Sequence, residues 1–108
     1  MSNRLLIVGI ALASLALPIS LKADVAAGKT AFDKACKSCH GADGKGNPVI
    51  AKMTKVEMRA LGSSEVQAKN DAAISKDITE GMGKMKGVKS LAAPDVKSVV
   101  EFVRTLKN

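Results

Sequence analysis

Both cysteines and the single histidine of this 108-residue chain lie within residues 36–40, in the order Cys36-Lys-Ser-Cys39-His40. Two thiols three residues apart near a helix end can reach both vinyl groups on one edge of a porphyrin, and the adjacent imidazole then lies over the iron. The pattern C-x-x-C-H is typical of covalent c-type haem attachment. It predicts one haem c, bound through Cys36 and Cys39, with His40 as a ligand of the haem iron.

Three other kinds of site use closely spaced cysteines. A thioredoxin-like redox pair needs a βαβ context, and none is visible here. A structural disulfide would leave His40 unexplained. A zinc site needs about four ligands, usually including a second cluster of Cys or His that this chain lacks. The motif therefore favours haem attachment over these alternatives.

The beginning of the chain has the layout of a secretory signal peptide. A basic start that includes Arg4 precedes an apolar run over residues 5–21, and Ala23 offers a small residue for cleavage. We predict a signal peptide over residues 1–23 and a single domain over residues 24–108, exported to the bacterial periplasm. The alternative is an uncleaved anchor, because the run is close to the shortest that spans a bilayer, about 17 residues. Once processed, the chain is expected to have no membrane span.

The domain has few large side chains for its core. Phe32 and Phe102 are its only aromatic residues, and the chain has no Trp or Tyr. Aromatic side chains usually dominate core energetics, and a domain of this size buries only a modest share of its surface. A covalently bound haem would fill the centre.

Helical periodicity predicts an all-α fold of three to four helices around one covalently bound haem. One helix is expected over residues 26–36 and a second from residue 70 or 71 onward. The last helix has Pro94 just inside its start and an apolar stripe formed by Val96, Val99, Val100, Val103 and Leu106.

The remaining segments are expected to be mostly loops. Residues 41–48 and 82–89 are rich in turn-forming residues. Residues 49–61 are ambiguous, although Thr54-x-x-Glu57 matches a capping box that could start a short helix. No segment alternates with a period of two, so we expect no sheet.

The second axial ligand has to come from a residue type other than histidine. A methionine thioether suits haem iron and raises its reduction potential. The domain offers Met53, Met58, Met82 and Met85. Met53 and Met58 are better suited to filling gaps in the core, whereas Met82 and Met85 lie in the loop before the last helix, which could fold over the haem.

The chain resembles the class I monohaem cytochromes c, especially the short bacterial type. The matching residues are Gly28 and Phe32, CKSCHG at 36–41, the stretch 78–85, and the last helix with Phe102. The resemblance implies that the first and last helices cross at Gly28, Phe32 and Phe102. It also implies that Met85 is the axial ligand, with Met82 as the alternative.

Two positions depart from the pattern of that family. Lys86 stands where a proline usually follows the ligand methionine. Pro48 is the candidate for the backbone carbonyl that orients the axial histidine, but its offset from the motif is unusual. In the family such a contact sets the orientation of the imidazole.

A haem iron ligated on both faces by His40 and Met85 has no open position for a substrate. We therefore expect an electron-transfer protein and not an enzyme: a monomeric single-electron carrier that shuttles electrons between redox proteins. The alternative is a weak peroxidase or small-ligand sensor, if the methionine bond is labile. A third possibility is an exported binding module without haem, held by a disulfide.

Without residues 1–23, which contain Arg4 and Lys22, the predicted mature chain keeps 15 basic and 10 acidic side chains, a formal charge of +5. A basic surplus favours encounter with acidic surfaces, whereas the lack of a groove-reading motif and of stacking aromatics argues against nucleic acid. We expect a basic docking rim around the haem motif and the ligand methionine, formed by Lys37, Lys45, Lys84, Lys86 and Lys89. Ordinary solvated lysines are the alternative interpretation.

Overall fold

The computed structural model describes residues 9–14 and 24–108. In these ranges the chain forms six helices and one short antiparallel hairpin, in the order α1 (Val25–Ala35), α2 (Lys37–His40), α3 (Pro48–Thr54), α4 (Ser64–Gln67), α5 (Asp71–Glu80), β1 (Gly81–Met82), β2 (Met85–Lys86) and α6 (Ala93–Thr105). The all-α prediction is confirmed. The number of helices exceeds the expected three to four partly because α2 and α4 are single turns of four residues, too short to show periodicity.

Most of the predicted signal peptide lies outside the described residues. Residues 9–14 form neither helix nor strand, and the side chains of Ile10 and Leu12 are exposed. Among the helices of the described ranges, none has the length and apolar character needed to cross a membrane. Asp24, the first residue after the predicted cleavage point, is the N-cap of α1, and its carboxylate accepts a hydrogen bond from the backbone N–H of Ala26 (2.9 Å).

The two longest helices, α1 and α6, pack directly against each other. Gly28 of α1 lies so close to α6 that a Cβ at this position would overlap the backbone carbonyl of Ser98. The rings of Phe32 and Phe102 meet at this crossing with centroids 5.0 Å apart and planes tilted by 55°, a favourable edge-to-face type of geometry. The crossing predicted at these three residues is therefore confirmed.

The core is aliphatic apart from this aromatic pair. Phe32, Val99 and Val100 are the largest fully buried side chains. Helix α5 adds Ile74 and Ile78 to the same cluster, and Cys36 belongs to it as well. The first cysteine of the motif is thus anchored in the core of the domain.

The end of α6 is tied to the connection between α4 and α5. The guanidinium of Arg104 donates to the carbonyls of Gln67 (2.8 Å) and Lys69 (2.5 Å) and to the carboxylate of Asp71 (2.8 Å). The side-chain amide of Gln67 in turn donates to the carbonyl of Val103 (3.0 Å). These contacts fix the start of α5 on the last helix.

Two local expectations are wrong. Thr54 does not open a helix, because it is the last residue of α3 and its hydroxyl donates back to the carbonyl of Ile50 (2.8 Å). The helix in this region starts earlier, with Asn47 as N-cap and Pro48 as first residue, a favoured pairing.

Residues 82–89 are also not a loop throughout. Gly81 pairs with Lys86 and Met82 with Met85 around a two-residue turn, in which Gly83 has the positive φ that such turns require. A pairing of two residues on each strand is too short to produce visible alternation in the sequence.

Candidate functional site

The motif residues lie on consecutive short elements at the end of α1. Cys36 is the C-cap of α1, with its backbone N–H bonded to the carbonyl of Phe32 (2.8 Å). Its own carbonyl accepts from the backbone N–H groups of Cys39 (3.3 Å) and His40 (3.0 Å), which forms the single turn of α2. One helical turn therefore holds both thiols and the imidazole in a fixed local arrangement.

The two thiols differ in environment. Cys36 is 8% exposed, whereas Cys39 is exposed, and both are free cysteines. Burial raises the pKa of the Cys36 thiol to about 11, with a further contribution from the neighbouring Cys39. The Cys36 thiol is therefore neutral and belongs to the apolar core of the domain.

The imidazole of His40 is partly buried and kept neutral. Burial lowers the pKa of His40, because the charged form loses its hydration. Its Nδ1 atom is buried and has no hydrogen-bond partner in the described part of the chain. A neutral imidazole is the form that ligates iron. A buried ring nitrogen without a hydrogen-bond partner is itself unusual in a folded protein.

Pro48 does not fulfil the orienting role suggested for it. No hydrogen bond joins His40 Nδ1 to the Pro48 carbonyl, since Nδ1 has no partner. Pro48 is the first residue of α3, and the carbonyl of a first helical residue is directed along the helix toward the residue four positions on.

The loop after the motif is bonded instead to the backbone of α2. The backbone N–H of Gly46 donates to the carbonyl of His40 (2.7 Å), and that of Asn47 donates to the carbonyl of Cys39 (2.8 Å). The Asn47 side-chain amide also donates to the carbonyl of Ser38 (3.1 Å). Asn47 is therefore a positioning residue that the sequence analysis missed, although its place directly before Pro48 is the signal of a helix N-cap.

The four candidate methionines are in different surroundings. Met53 is 73% exposed on α3, and Met58 lies partly buried against Gly46. Met82 is 53% exposed, with its sulfur 3.9 Å from the ammonium of Lys69. Met85 is partly buried on β2. Of the two hairpin methionines, Met85 is the one turned further from solvent.

These residues fit a covalently bound haem better than a bare metal ion. Within residues 9–14 and 24–108, no group of three or more His, Cys, Asp or Glu side chains could hold a metal ion. The donor set consists of two free thiols, an imidazole with an unpartnered buried nitrogen, and thioethers. Thiols for the vinyl groups and an imidazole with a thioether for the iron are the ligands that haem c uses.

Comparison with known proteins agrees with this fit. Residues 25–107 match the sequence model of the family described as Cytochrome c. The cytochrome c-554(547) of Halothiobacillus neapolitanus is 31% identical over 91 residues, which cover 78% of this chain and 98% of that protein.

Solved structures give the same result. The c-type cytochrome KustC0563 is 31% identical with a TM-score of 0.63, covering 75% of this chain and 98% of its own. Cytochrome cL from the marine methylotrophic bacterium Methylophaga aminisulfidivorans shares the fold, with 23% identity and a TM-score of 0.61 over 82% of this chain and 56% of its own. Members of the matched family carry covalent haem c and act in electron transport. The arrangement of the motif, the family match over residues 25–107 and these relatives together establish that the chain belongs to the cytochrome c family.

Proposed function

We propose that this protein is a single-electron carrier, with haem c attached through Cys36 and Cys39 and its iron ligated by His40 and Met85. The observation that carries the proposal is the single turn of α2, which presents both thiols and a neutral imidazole inside a domain matched to the family over residues 25–107. When bound, haem c supplies an iron centre that gains or loses one electron. A carrier of this kind needs no proton transfer and no substrate pocket.

The role of the protein is to bind, orient and shield the cofactor. Asn47 and Gly46 hold the backbone carbonyls of the motif, so that the imidazole keeps its position. Cys36, which belongs to the core cluster, would attach the cofactor to the core. A Met85 thioether on the opposite face would raise the reduction potential, as sulfur ligation does in cytochromes.

The peroxidase or sensor alternative is less well supported. Cleavage of an O–O bond would need an imidazole or guanidinium side chain beside an open iron position. His40 is the only histidine of the chain, and the guanidinium groups of Arg59 and Arg104 are each paired with a carboxylate, of Glu65 and Asp71 respectively. Lys86, which stands where the family usually has a proline after the ligand methionine, pairs with Gly81 in the hairpin and so belongs to an ordered element.

We further propose that the carrier works in the periplasm as a monomer and meets acidic surfaces of redox proteins. The apolar run with its basic start supports export. The five lysines of the proposed docking rim are all exposed. The lysine charges would steer an acidic partner toward the haem motif.

An optical spectrum tests the proposal directly. The chain is matured in a periplasm that attaches haem, and the oxidised and reduced protein is examined for c-type bands and for the weak near-infrared band from thioether to ferric iron. Met85→Ala should abolish the near-infrared band and lower the reduction potential, whereas the matched variant Met82→Ala should keep both. A band that persists in Met85→Ala and disappears in Met82→Ala would assign the ligand to Met82. Failure to attach haem would refute the proposal as a whole.

A further inference from the structure

The tip of the methionine-bearing hairpin is joined to a distant helix by one lysine. The ammonium of Lys84, in the turn between β1 and β2, donates to the backbone carbonyl of Thr54 at 2.7 Å, across 30 residues of sequence. Thr54 is the last residue of α3, and its C-cap Lys55 is left-handed with φ 55°. The last carbonyls of a helix lack partners within it and carry the negative end of its dipole. An ammonium is therefore well matched to this position.

The Lys84–Thr54 contact links the two halves of the candidate site. Helix α3 starts at Pro48, directly after Asn47, whose N–H groups hold the carbonyls of Cys39 and Ser38. The hairpin carries Met85 next to Lys84. One hydrogen bond thus connects the helix on the histidine side of the site to the turn on the methionine side.

The base of the hairpin is held independently of Lys84. The backbone N–H of Val88 donates to the carbonyl of Ile78 (2.7 Å), and the ammonium of Lys89 donates to the carbonyl of Thr79 (2.6 Å). At the tip, in contrast, Gly83 is unpacked: no atom beyond its chain neighbours lies within 4 Å of the position that a Cβ would occupy. Beyond the strand pairing, the polar contacts of the tip within the described chain are the Lys84 bond and the weak contact of Met82 with Lys69 at 3.9 Å.

We propose that Lys84 is a positioning residue for Met85, and that its bond to the Thr54 carbonyl keeps the thioether on the iron by holding the hairpin tip against α3. This rests on the proposed His40/Met85 ligation. Loss of the bond leaves the base of the hairpin in place but frees its tip. The structure therefore assigns to Lys84 control of how often Met85 leaves the iron, separate from any part in docking a partner.

The test measures ligand exchange on the oxidised holoprotein. Imidazole at a fixed pH is mixed with the ferric protein, and its binding is followed by the Soret band in stopped flow. At saturating imidazole the rate is limited by dissociation of Met85. Lys84→Leu should raise this limiting rate about threefold to tenfold, the range set by losing one charge-assisted hydrogen bond at an exposed site.

Lys86→Leu is the matched control. It removes the same charge on the other side of Met85, from an exposed side chain that donates no side-chain hydrogen bond in the described structure. Its limiting rate should stay within about twofold of the parent. Lys84→Arg, which keeps a cationic donor, should have a limiting rate close to that of the parent. Equal rates for Lys84→Leu and Lys86→Leu would overturn the proposal.

Two further readouts separate this proposal from its premise. Urea unfolding of both lysine variants measures any general loss of stability. If the limiting rate of imidazole binding rose in both variants in step with a fall in their urea midpoints, this would count against a specific role of Lys84. The near-infrared band of the parent and its loss in Met85→Ala test the ligation itself. If the parent lacks that band, the proposed ligation fails; if the band behaves as expected but the lysine variants do not differ, only the role of Lys84 fails.

Discussion

At the scale of single residues, Arg104 has the densest set of polar contacts outside the site. Its side chain is 27% exposed and bonds two backbone carbonyls of the α4–α5 connection as well as the carboxylate of Asp71. Carbonyls at the end of a short helix have few other partners. A guanidinium has five donors in a fixed plane and can satisfy several acceptors at once, whereas a lysine has three donors on a single nitrogen.

Arg104→Gln should therefore destabilise the holoprotein by about 1–3 kcal/mol, because it leaves partly buried carbonyls without their charged donor. Asp71→Asn removes only the ion pair, whose carboxylate is 63% exposed, and should cost less than about 1 kcal/mol. Urea unfolding followed by far-ultraviolet circular dichroism measures both. Similar losses for the two variants would show that the ion pair, and not the bonds to the carbonyls, provides the stabilisation.

The residues of the site were predictable from the sequence to the extent that their contacts are local. Cys36, Cys39 and His40 are close in sequence and lie on one helical turn, so their pattern alone indicates the chemistry. In contrast, Lys84 is 30 residues away from its partner Thr54. Arg104 is 37 residues away from Gln67. Such pairs depend on how the helices pack, and no local pattern of residue types marks them.

At the scale of elements, the crossing of α1 and α6 depends on the absence of a side chain at Gly28. An alanine there would gain about 1 kcal/mol in helix propensity. Its Cβ, however, would overlap the Ser98 carbonyl and lie 3.1 Å from the Cβ of Phe102. The helices would have to move apart and loosen the contact between Phe32 and Phe102.

Gly28→Ala should accordingly destabilise the protein by about 1–3 kcal/mol, the usual cost of overpacking, despite the better helix former. Thr30→Ala on the exposed side of the same helix is the control. It improves propensity without a clash and should leave stability unchanged or slightly raised. The unfolding temperatures of the two variants test this prediction. A higher unfolding temperature for Gly28→Ala would contradict the close contact between Gly28 and the Ser98 carbonyl.

The elements that were predicted well are those with a long apolar face. Helices α1, α5 and α6 were expected within a few residues of their observed bounds, because 10 to 13 residues give several helical repeats. The short elements were not predicted, because they contain too few residues to show a repeat. At Thr54 two local signals competed, and the Asn47–Pro48 start won over the apparent capping box.

At the scale of the whole molecule, a basic surplus is expected to influence the rate of encounter with acidic partners. The formal charge is +7 over the full chain and +5 over residues 24–108, the predicted mature part. Lys84 and Lys89 of the proposed docking rim also bond internal carbonyls, so their charges are fixed in place near the hairpin. Lys37, Lys45 and Lys86 of the same rim are exposed on the motif, the following loop and β2.

The oxidation rate of the reduced protein by a small anionic complex should fall as salt rises, because screening weakens the attraction over about 8–10 Å. Replacing Lys37 and Lys45 together with Glu should lower that rate more than replacing Lys97 and Lys107, which changes the net charge equally. The control pair lies on and after α6. Equal effects of the two pairs would mean that only the net charge matters and that no docking rim exists.

The contact between α1 and α6 also has a consequence for the order of events during biosynthesis. A growing chain appears from its N-terminus, so Cys36 and Cys39 are made long before the residues that pack on α1. Cys36 reaches its nearly inaccessible position in a cluster completed by Val99, Phe102 and Val103. Until those last residues have emerged, the thiol stays open to whatever machinery modifies it. The placement of its packing partners at the end of the chain therefore means that the domain can close over Cys36 only after the whole chain has been made.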